Sequence, residues 1–376
     1  MKKIGIITLP LIDNYGGILQ ATALYKFLEV NNFEPILIQK KFYLPTWKRL
    51  ATALLEKIPL QNIKNIRSKK FNRLIHKHFI DSHIKNKTEI CYTTDDLLKI
   101  AKKYRFNSVI TGSDQVWRWS YIDKKYYGNY FLDFIKDSST MKISYAASFG
   151  VSGWEDDNTR NHVAKLISNL DAVSCREHSG VQACLSMGAN HCEHVVDPTL
   201  LINPNFYLDI IDHSDSPVVG HRKTLLCYIL DQTNHTPSFI KKIISTLGDN
   251  YDLKTIYSGG ESFQNYSISD WLKFFKSADF ILTDSFHGTV FSIIFKKQFI
   301  ATTNSRRGAD RFSSLLSKLE LKNRLVSLDN PKEIEDALTS KINYDEVSKN
   351  LDPWIEESRN FLVHNLSKDL RYNTLE

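Results

Sequence analysis

The chain has 376 residues, 42% hydrophobic and 24% charged, the balance of a soluble globular protein. That length exceeds one hydrophobic core of ordinary size, so two domains are expected. No apolar run approaches the roughly 20 residues needed to span a bilayer. The apolar start at Lys3–Leu9 is interrupted by Pro10 and Asp13 before a secretory signal can form, so a cytoplasmic protein is expected.

The net charge of +7 is unevenly spread. Between Lys40 and Lys87 stand 13 Lys and Arg against two Asp and Glu, more than the surplus of the whole chain. Such a stretch suits a solvated helical insertion, an anionic membrane face or a phosphate-bearing acceptor. No zinc-finger, RNP-type or helix-turn-helix pattern accompanies it, so nucleic acid is not expected as a partner. The five cysteines (Cys91, Cys175, Cys184, Cys192, Cys227) form no C-x-x-C pair, which argues against a disulfide framework or a structural zinc site. Cys175 and Cys227 read as small buried hydrophobes. His191, Cys192 and His194 stand together without a second ligand pair, and no metal is expected there.

In chain order, Lys3–Leu9 reads as a buried parallel strand, Ile18–Val30 as a helix and Pro35–Gln39 as a second strand, a βαβ unit. The basic stretch follows as an excursion with helical patches such as Trp47–Ile58. Thr94–Tyr104 is a helix, and Ser108–Thr111 and Lys142–Ala147 are strands. Arg160–Leu170 is a helix, Ala172–Cys175 a strand and Ser179–Met187 a helix. Residues 203–222, rich in Asn, Pro, Asp, Ser and His without clear periodicity, read as a linker. The alternation then restarts. Thr224–Leu230, Leu253–Tyr257, Asp279–Thr283 and Phe299–Thr302 are strands. Pro237–Leu247, Ser267–Ser277, Thr289–Phe295, Arg311–Leu319 and Pro331–Leu338 are helices, and Tyr344–Leu370 is a helical tail. Strands alternating with helices in both halves imply an α/β protein of two Rossmann-like, doubly wound domains facing a cleft, like the GT-B glycosyltransferases.

Ligands of doubly wound sheets bind at the carboxyl ends of strands, beside helix N-termini. Four clusters fall there. Thr283-Asp284-Ser285-Phe286-His287-Gly288-Thr289 follows a buried strand and opens a helix. A histidine at such a turn is a residue type suited to delivering a proton during turnover. Thr111-Gly112-Ser113-Asp114-Gln115-Val116-Trp117 offers a carboxylate and an indole able to stack on a sugar face. Ser174-Cys175-Arg176-Glu177 offers a guanidinium for a phosphate or carboxylate. Asn14-Tyr15-Gly16-Gly17 opens the first helix but lacks the dinucleotide fingerprint, and no P-loop occurs. Each cluster also has a structural reading: a helix cap at His287, a tight turn with a core Trp117, a surface Arg–Glu pair, an ordinary βα turn. Arg306, Arg307 and Arg311 follow a later strand and are placed to close over an anion.

These motifs, in this order, together with Gln20, Ser144–Gly150 including Ser148, Asp197-Pro198-Thr199 and Ser314-Leu315-Leu316, resemble the polysaccharide pyruvyl transferase family. The resemblance runs from residue 4 to about 325 and leaves out the basic insertion and the tail. It implies a GT-B-like pair of domains. The first, 1–205, would be the acceptor side, with the basic insertion at about 40–90. The second, 220–343, would bind the donor, and the helical tail 344–376 would pack back across the domains. It implies phosphoenolpyruvate as donor substrate, no cofactor, and an oligosaccharide or lipid-linked glycan as acceptor; the basic stretch adds the expectation of peripheral contact at the cytoplasmic membrane face. By position, His287 would be the acid, with Asp284 and Asp114 as candidate bases. Arg176, Ser285, Gly288, Thr289, Arg306, Arg307 and Arg311 would bind the donor. Asn14, Tyr15, Gly16, Gly17, Gln20, Ser113, Gln115, Trp117 and Ser148 would bind the acceptor. Many members carry Arg two residues before the His; here Ser285 stands in its place, so either Arg306, Arg307 or Arg311 takes over that charge or the donor is held differently. The rival readings are a nucleotide-sugar glycosyltransferase, with Glu261 as candidate ribose ligand, and a glycan-binding relative without turnover.

Overall fold

The computed structural model describes residues 1–45, 47–48, 64–211, 222–232, 236–248, 250–257, 266–303, 308–327 and 329–368. The chain forms two compact units, Met1–Leu201 with Glu357–Glu376, and Ile202–Glu356.

In the first unit, β1 (Lys3–Ile7), β2 (Glu34–Leu37), β3 (Ser108–Gly112) and β4 (Met141–Tyr145) form a parallel sheet in the order β2-β1-β3-β4. Bridges Ile143–Ala172 and Ala147–Cys175 continue it to β5 (Ser174–Cys175), which pairs with β6 (Glu193–His194). The strands are buried along nearly their whole length, as parallel strands inside an α/β unit are. The helix α1 (Tyr15–Val30) is apolar nearly all round and correspondingly buried, and Asn14 caps it by accepting from the Gly17 amide. Helices α2 (Lys64–His83), α3 (Thr94–Tyr104), α4 (Asp157–Ser168), α5 (His178–Ser186) and α6 (Pro198–Leu201) complete the unit. The start of α3 is fixed by a reciprocal capping box between Thr93 and Asp96. Of the expected helical patch at Trp47–Ile58, only residues 47–48 lie within the described residues.

The second unit opens with α7 (Asn205–Ile210), a short helix inside the stretch expected to be a linker. Tyr207 makes the difference: it is fully buried and meets Phe291 edge-on at 5.0 Å. Residues 212–221 of the expected linker lie outside the described residues. Strands β7 (Lys223–Ile229), β8 (Tyr251–Tyr257), β9 (Phe280–Thr283), β10 (Gln298–Thr302) and β11 (Leu325–Val326) form a parallel sheet in the order β11-β10-β9-β7-β8. Around it run α8 (Thr236–Leu247), α9 (Ile268–Ser277), α10 (Phe286–Ile294), α11 (Asp310–Lys318) and α12 (Pro331–Thr339). Ser267 caps α9 through a capping box with Asp270.

The last helix, α13 (Tyr344–Ser367), is shared by the two units along the chain. Its final turns belong to the first. Ser358 Oγ accepts from the Val196 amide at 3.0 Å, Arg359 donates to the Leu201 carbonyl, and Lys2 Nζ donates to the carbonyls of Leu366 and Ser367. Among the described residues no helix is long and apolar enough to cross a membrane.

In each sheet the strand order reverses beside the unit's first strand, and a topological switch point opens there at the carboxyl ends. In the first unit it lies between β1 and β3, in the second between β7 and β9. The candidate motifs gather at these two places.

Candidate active site

In the first unit the chain leaves β3 through Gly112 and turns at Asp114, whose φ of 65° swings the carboxylate across the sheet edge. Gly112 is required by proximity: a Cβ there would stand 2.1 Å from the Tyr145 carbonyl oxygen. Asp114 accepts from the Gln115 amide at 2.9 Å and from Arg176 at 3.3 Å through Oδ1, and from Asn14 Nδ2 at 3.5 Å through Oδ2. Arg176, leaving β5, also donates to Asp197 at 2.9 Å. Asp197 in turn accepts from Ser113 Oγ at 3.1 Å and from the amide and hydroxyl of Thr199. Burial would lower the Arg176 pKa, but the charges of Asp114 and Asp197 outweigh it and raise it further.

Arg176, expected as a donor clamp, is here paired with two buried carboxylates. Among the described residues its guanidinium, 1% exposed, bridges the carboxylates of Asp114 and Asp197 in one cluster. Beside it lies a cavity of about 300 Å³ lined by Leu9, Pro10, Leu11, Asn14, Gly17, Phe42, Asp114 and Tyr121. Tyr121 is also stacked on the Arg118 guanidinium at 4.5 Å.

Of the residues expected to bind an acceptor, Asn14 and Gly17 line this cavity together with Asp114. The others support it from behind. Trp117 does not offer its face to a sugar: it is fully buried between Phe131 and Phe149, and Nε1 donates to the Tyr130 carbonyl. Tyr15 is buried against His76, and Gly16 is buried beside it. Gln20 donates to Thr8 Oγ1 and the Gly17 carbonyl from a site closed to solvent. Ser148 is buried and accepts from the Gly150 amide. Ser113 is held by Asp197, and Gln115 accepts from Arg118 at 2.8 Å. Phe42, Arg118, Tyr121 and the role of Asp197 escaped the sequence reading. Asp197, directly after Val195-Val196, carried the one usable signal, a carboxylate leaving an apolar run.

In the second unit β9 runs into α10 through Asp284 and Ser285. Thr283 Oγ1 donates to the Tyr228 carbonyl at 2.7 Å and accepts from the Ser285 amide. Asp284 accepts from the Leu230 and Asp231 amides at 2.6 and 2.9 Å, which ties the end of β7 to the end of β9. Each oxygen takes a backbone amide, so Asp284, expected as a candidate base, positions the strand ends. Ser285 is the N-cap: its hydroxyl accepts from the Gly288 amide at 3.2 Å, so the helix starts at Phe286, three residues before the expected Thr289. Thr289 is fully buried with its hydroxyl on the Ser285 carbonyl, and Gly288 leaves room for Thr283, whose Oγ1 would lie 2.3 Å from a Cβ there. Ser285, Gly288 and Thr289, expected as donor ligands, thus build the helix start.

His287 is the second residue of α10 and 6% exposed. Its ring meets Phe286 nearly edge-on at 5.5 Å, and the Arg311 guanidinium lies over Phe286 at 5.4 Å. Imidazole and guanidinium therefore flank one aromatic ring at the end of β9. Arg306, Arg307 and Glu261 lie outside the described residues.

Two parallel Rossmann-like sheets, each carrying polar residues at its switch point, define an α/β protein of the GT-B class. Solved structures agree in fold. The S. aureus MnaA–UDP co-structure aligns with TM-score 0.52 at 14% identity over 97% of both chains. The UDP-N-acetylglucosamine 2-epimerase from Rickettsia bellii gives 0.52 at 9% identity over 100% of this chain and 99% of that one. The N-terminal domain of Candida albicans trehalose-6-phosphate phosphatase gives 0.53 at 10% identity over 97% and 96%. Comparison with curated proteins returns no match. The profile of the polysaccharide pyruvyl transferase family matches residues 14–306, and the chain belongs to that family, a family of transferases.

Proposed function

We propose that this protein transfers the pyruvyl group of phosphoenolpyruvate to two hydroxyls of one sugar, forming a cyclic ketal and releasing phosphate. The observation that carries the reading is the placement of His287 in the first turn of α10, directly after β9 and within the stretch matched by the family, against the same Phe286 ring that the Arg311 guanidinium covers. In this reading Arg311 supplies positive charge for the enol phosphate. His287 protonates the methylene carbon, and C2 becomes electrophilic. One sugar hydroxyl attacks C2, phosphate leaves, and the second hydroxyl closes the ring. Two hydroxyl protons are released: one restores His287 and the other leaves with phosphate or solvent.

The acceptor fits the cavity of the first unit better than the donor does. Asp114 and Asn14 offer hydrogen-bond partners to hydroxyls, and Tyr121 and Phe42 offer apolar faces. The basic stretch at 40–87 suits a lipid-linked acceptor at an anionic membrane face. Salt-sensitive co-sedimentation with anionic vesicles would support this, and equal binding to neutral ones would remove it.

The test is phosphate release from phosphoenolpyruvate in the presence of glycan acceptors, for the wild type and His287→Ala. Loss of about 10²–10⁴-fold in the variant is expected of a general acid. Full activity of the variant overturns the mechanism. Thermal stabilisation by a UDP-sugar and not by phosphoenolpyruvate overturns the donor.

A further inference from the structure

Three of the chain's five cysteines meet inside the first unit. Cys175 ends β5, Cys184 lies on α5, and Cys192 precedes β6. The Cys175 and Cys184 sulfurs are 3.7 Å apart, those of Cys192 and Cys175 are 3.9 Å apart, and all three lie within 4.8 Å of one another. Cys175 and Cys184 are closed to solvent, and Cys192 is 6% exposed, so the triangle has one edge near the surface. Gly180 brings α5 close: a Cβ there would lie 3.3 Å from the Cys175 sulfur.

The dimensions suit a metal. Zinc–thiolate bonds of about 2.3 Å place the sulfurs roughly 4.0 Å apart in a trigonal arrangement and roughly 3.8 Å apart in a tetrahedral one. A disulfide instead needs about 2.05 Å, a closure of more than 1.5 Å by either contacting pair. Charge narrows the choice of ion. Three thiolates around a divalent ion leave one net negative charge, while a monovalent ion leaves two. Cys175 and Cys184 are closed to solvent, so a second uncompensated negative charge there is the costlier. Soft sulfur ligands exclude magnesium and calcium.

We propose that Cys175, Cys184 and Cys192 form a three-thiolate site for one divalent cation of the zinc class, with an exogenous ligand in the fourth position. The bound ion pins β5, α5 and β6 together immediately behind Arg176, which follows Cys175 in the chain. Its binding releases the thiol protons, so affinity rises with pH. The role is structural and independent of the proposed transferase chemistry.

The test uses the full chain, reduced and stripped of metal, titrated with Cd²⁺ as a spectroscopic substitute for Zn²⁺. One Cd²⁺ per chain is expected, with a thiolate-to-metal charge-transfer band in the ultraviolet that Zn²⁺ displaces and Mg²⁺ does not. Cys192→Ser, at the least buried position, weakens binding at least tenfold, and Cys227→Ser leaves it unchanged. The wild-type stoichiometry and band stand by themselves if the Cys192 variant misfolds. Absence of the band, or an equal band in a folded Cys192→Ser protein, overturns the proposal. So does a disulfide between two of the three thiols that forms under mild oxidant at saturating Zn²⁺.

Discussion

The Arg176 guanidinium donates to the Asp197 carboxylate at 2.9 Å, and neither side chain is more than 1% exposed. Asp114 accepts from the same guanidinium at 3.3 Å, so a single cation holds the ends of β3, β5 and β6 in one network. Removing it would leave two carboxylates uncompensated inside the first unit. Arg176→Met is expected to cost about 3–5 kcal/mol in urea unfolding. Arg176→Met combined with Asp197→Asn should recover part of that loss, because one stranded charge disappears. A stable Arg176→Met protein that fails only to bind phosphoenolpyruvate would return the residue to the donor role.

Asp284 serves the backbone in the same way, with the amides of Leu230 and Asp231 as its partners. Asp284→Ala strands both amides at the switch point and should destabilise the chain by about 1–3 kcal/mol. Asp284→Asn keeps one good acceptor and turns its amide group toward the other N–H, so its loss should be nearly as large. Unfolding midpoints of the two variants check this. A catalytic base would instead give an Asn variant of wild-type stability and lost turnover.

Gly112 is set by the backbone of the neighbouring strand. Its hypothetical Cβ lies 2.1 Å from the Tyr145 carbonyl oxygen, which has no flexible end to move aside. Gly112→Ala should therefore cost at the upper end of the about 1–3 kcal/mol typical of overpacking. It should also disturb Asp114, two residues on, and lower activity. Gly153→Ala meets only the Ala183 methyl at 3.5 Å and should stay near wild type in both measurements.

These positions show what a sequence can and cannot disclose. The strands were readable because buried parallel strands are runs such as Phe280–Thr283 with no polar face. The site motifs were located because strand ends beside helix starts are where such sheets hold ligands. Their roles were less legible, because burial depends on partners far along the chain. Arg176 finds its carboxylates 21 and 62 residues away, and nothing local distinguishes it from an anion-binding arginine. Trp117 faces Phe131 and Phe149, so its burial is equally non-local. The three clustered thiols are separated by nine and eight residues, a spacing outside the familiar metal motifs. The apolar run that marks the helix in the sequence begins only at Thr289, whereas the Ser285 cap starts it at Phe286 and includes Gly288.

Asp133 gives the fold a pH dependence of unusual sign for a carboxylate. Burial pushes its carboxyl up to about 6, against the weaker opposing pull of Lys136, His162, the Phe134 amide and Lys40. Among the described residues Oδ1 has no hydrogen-bond partner. The folded state therefore holds a proton that the unfolded chain, with an ordinary carboxyl near 3.8, gives up earlier. The contribution to stability is complete below the unfolded value and is lost as pH rises through about 6. A shift of about two units amounts to about 3 kcal/mol at most, and partial exposure reduces it to roughly 1–3 kcal/mol. Asp133→Asn stays neutral throughout and retains the shape. Relative to the wild type, it should gain about 1–3 kcal/mol between pH 4 and 7 and no more above that. Urea unfolding of both proteins across this range measures the difference directly, and a difference that does not change with pH would show that Asp133 is ionised in the folded state over the whole window.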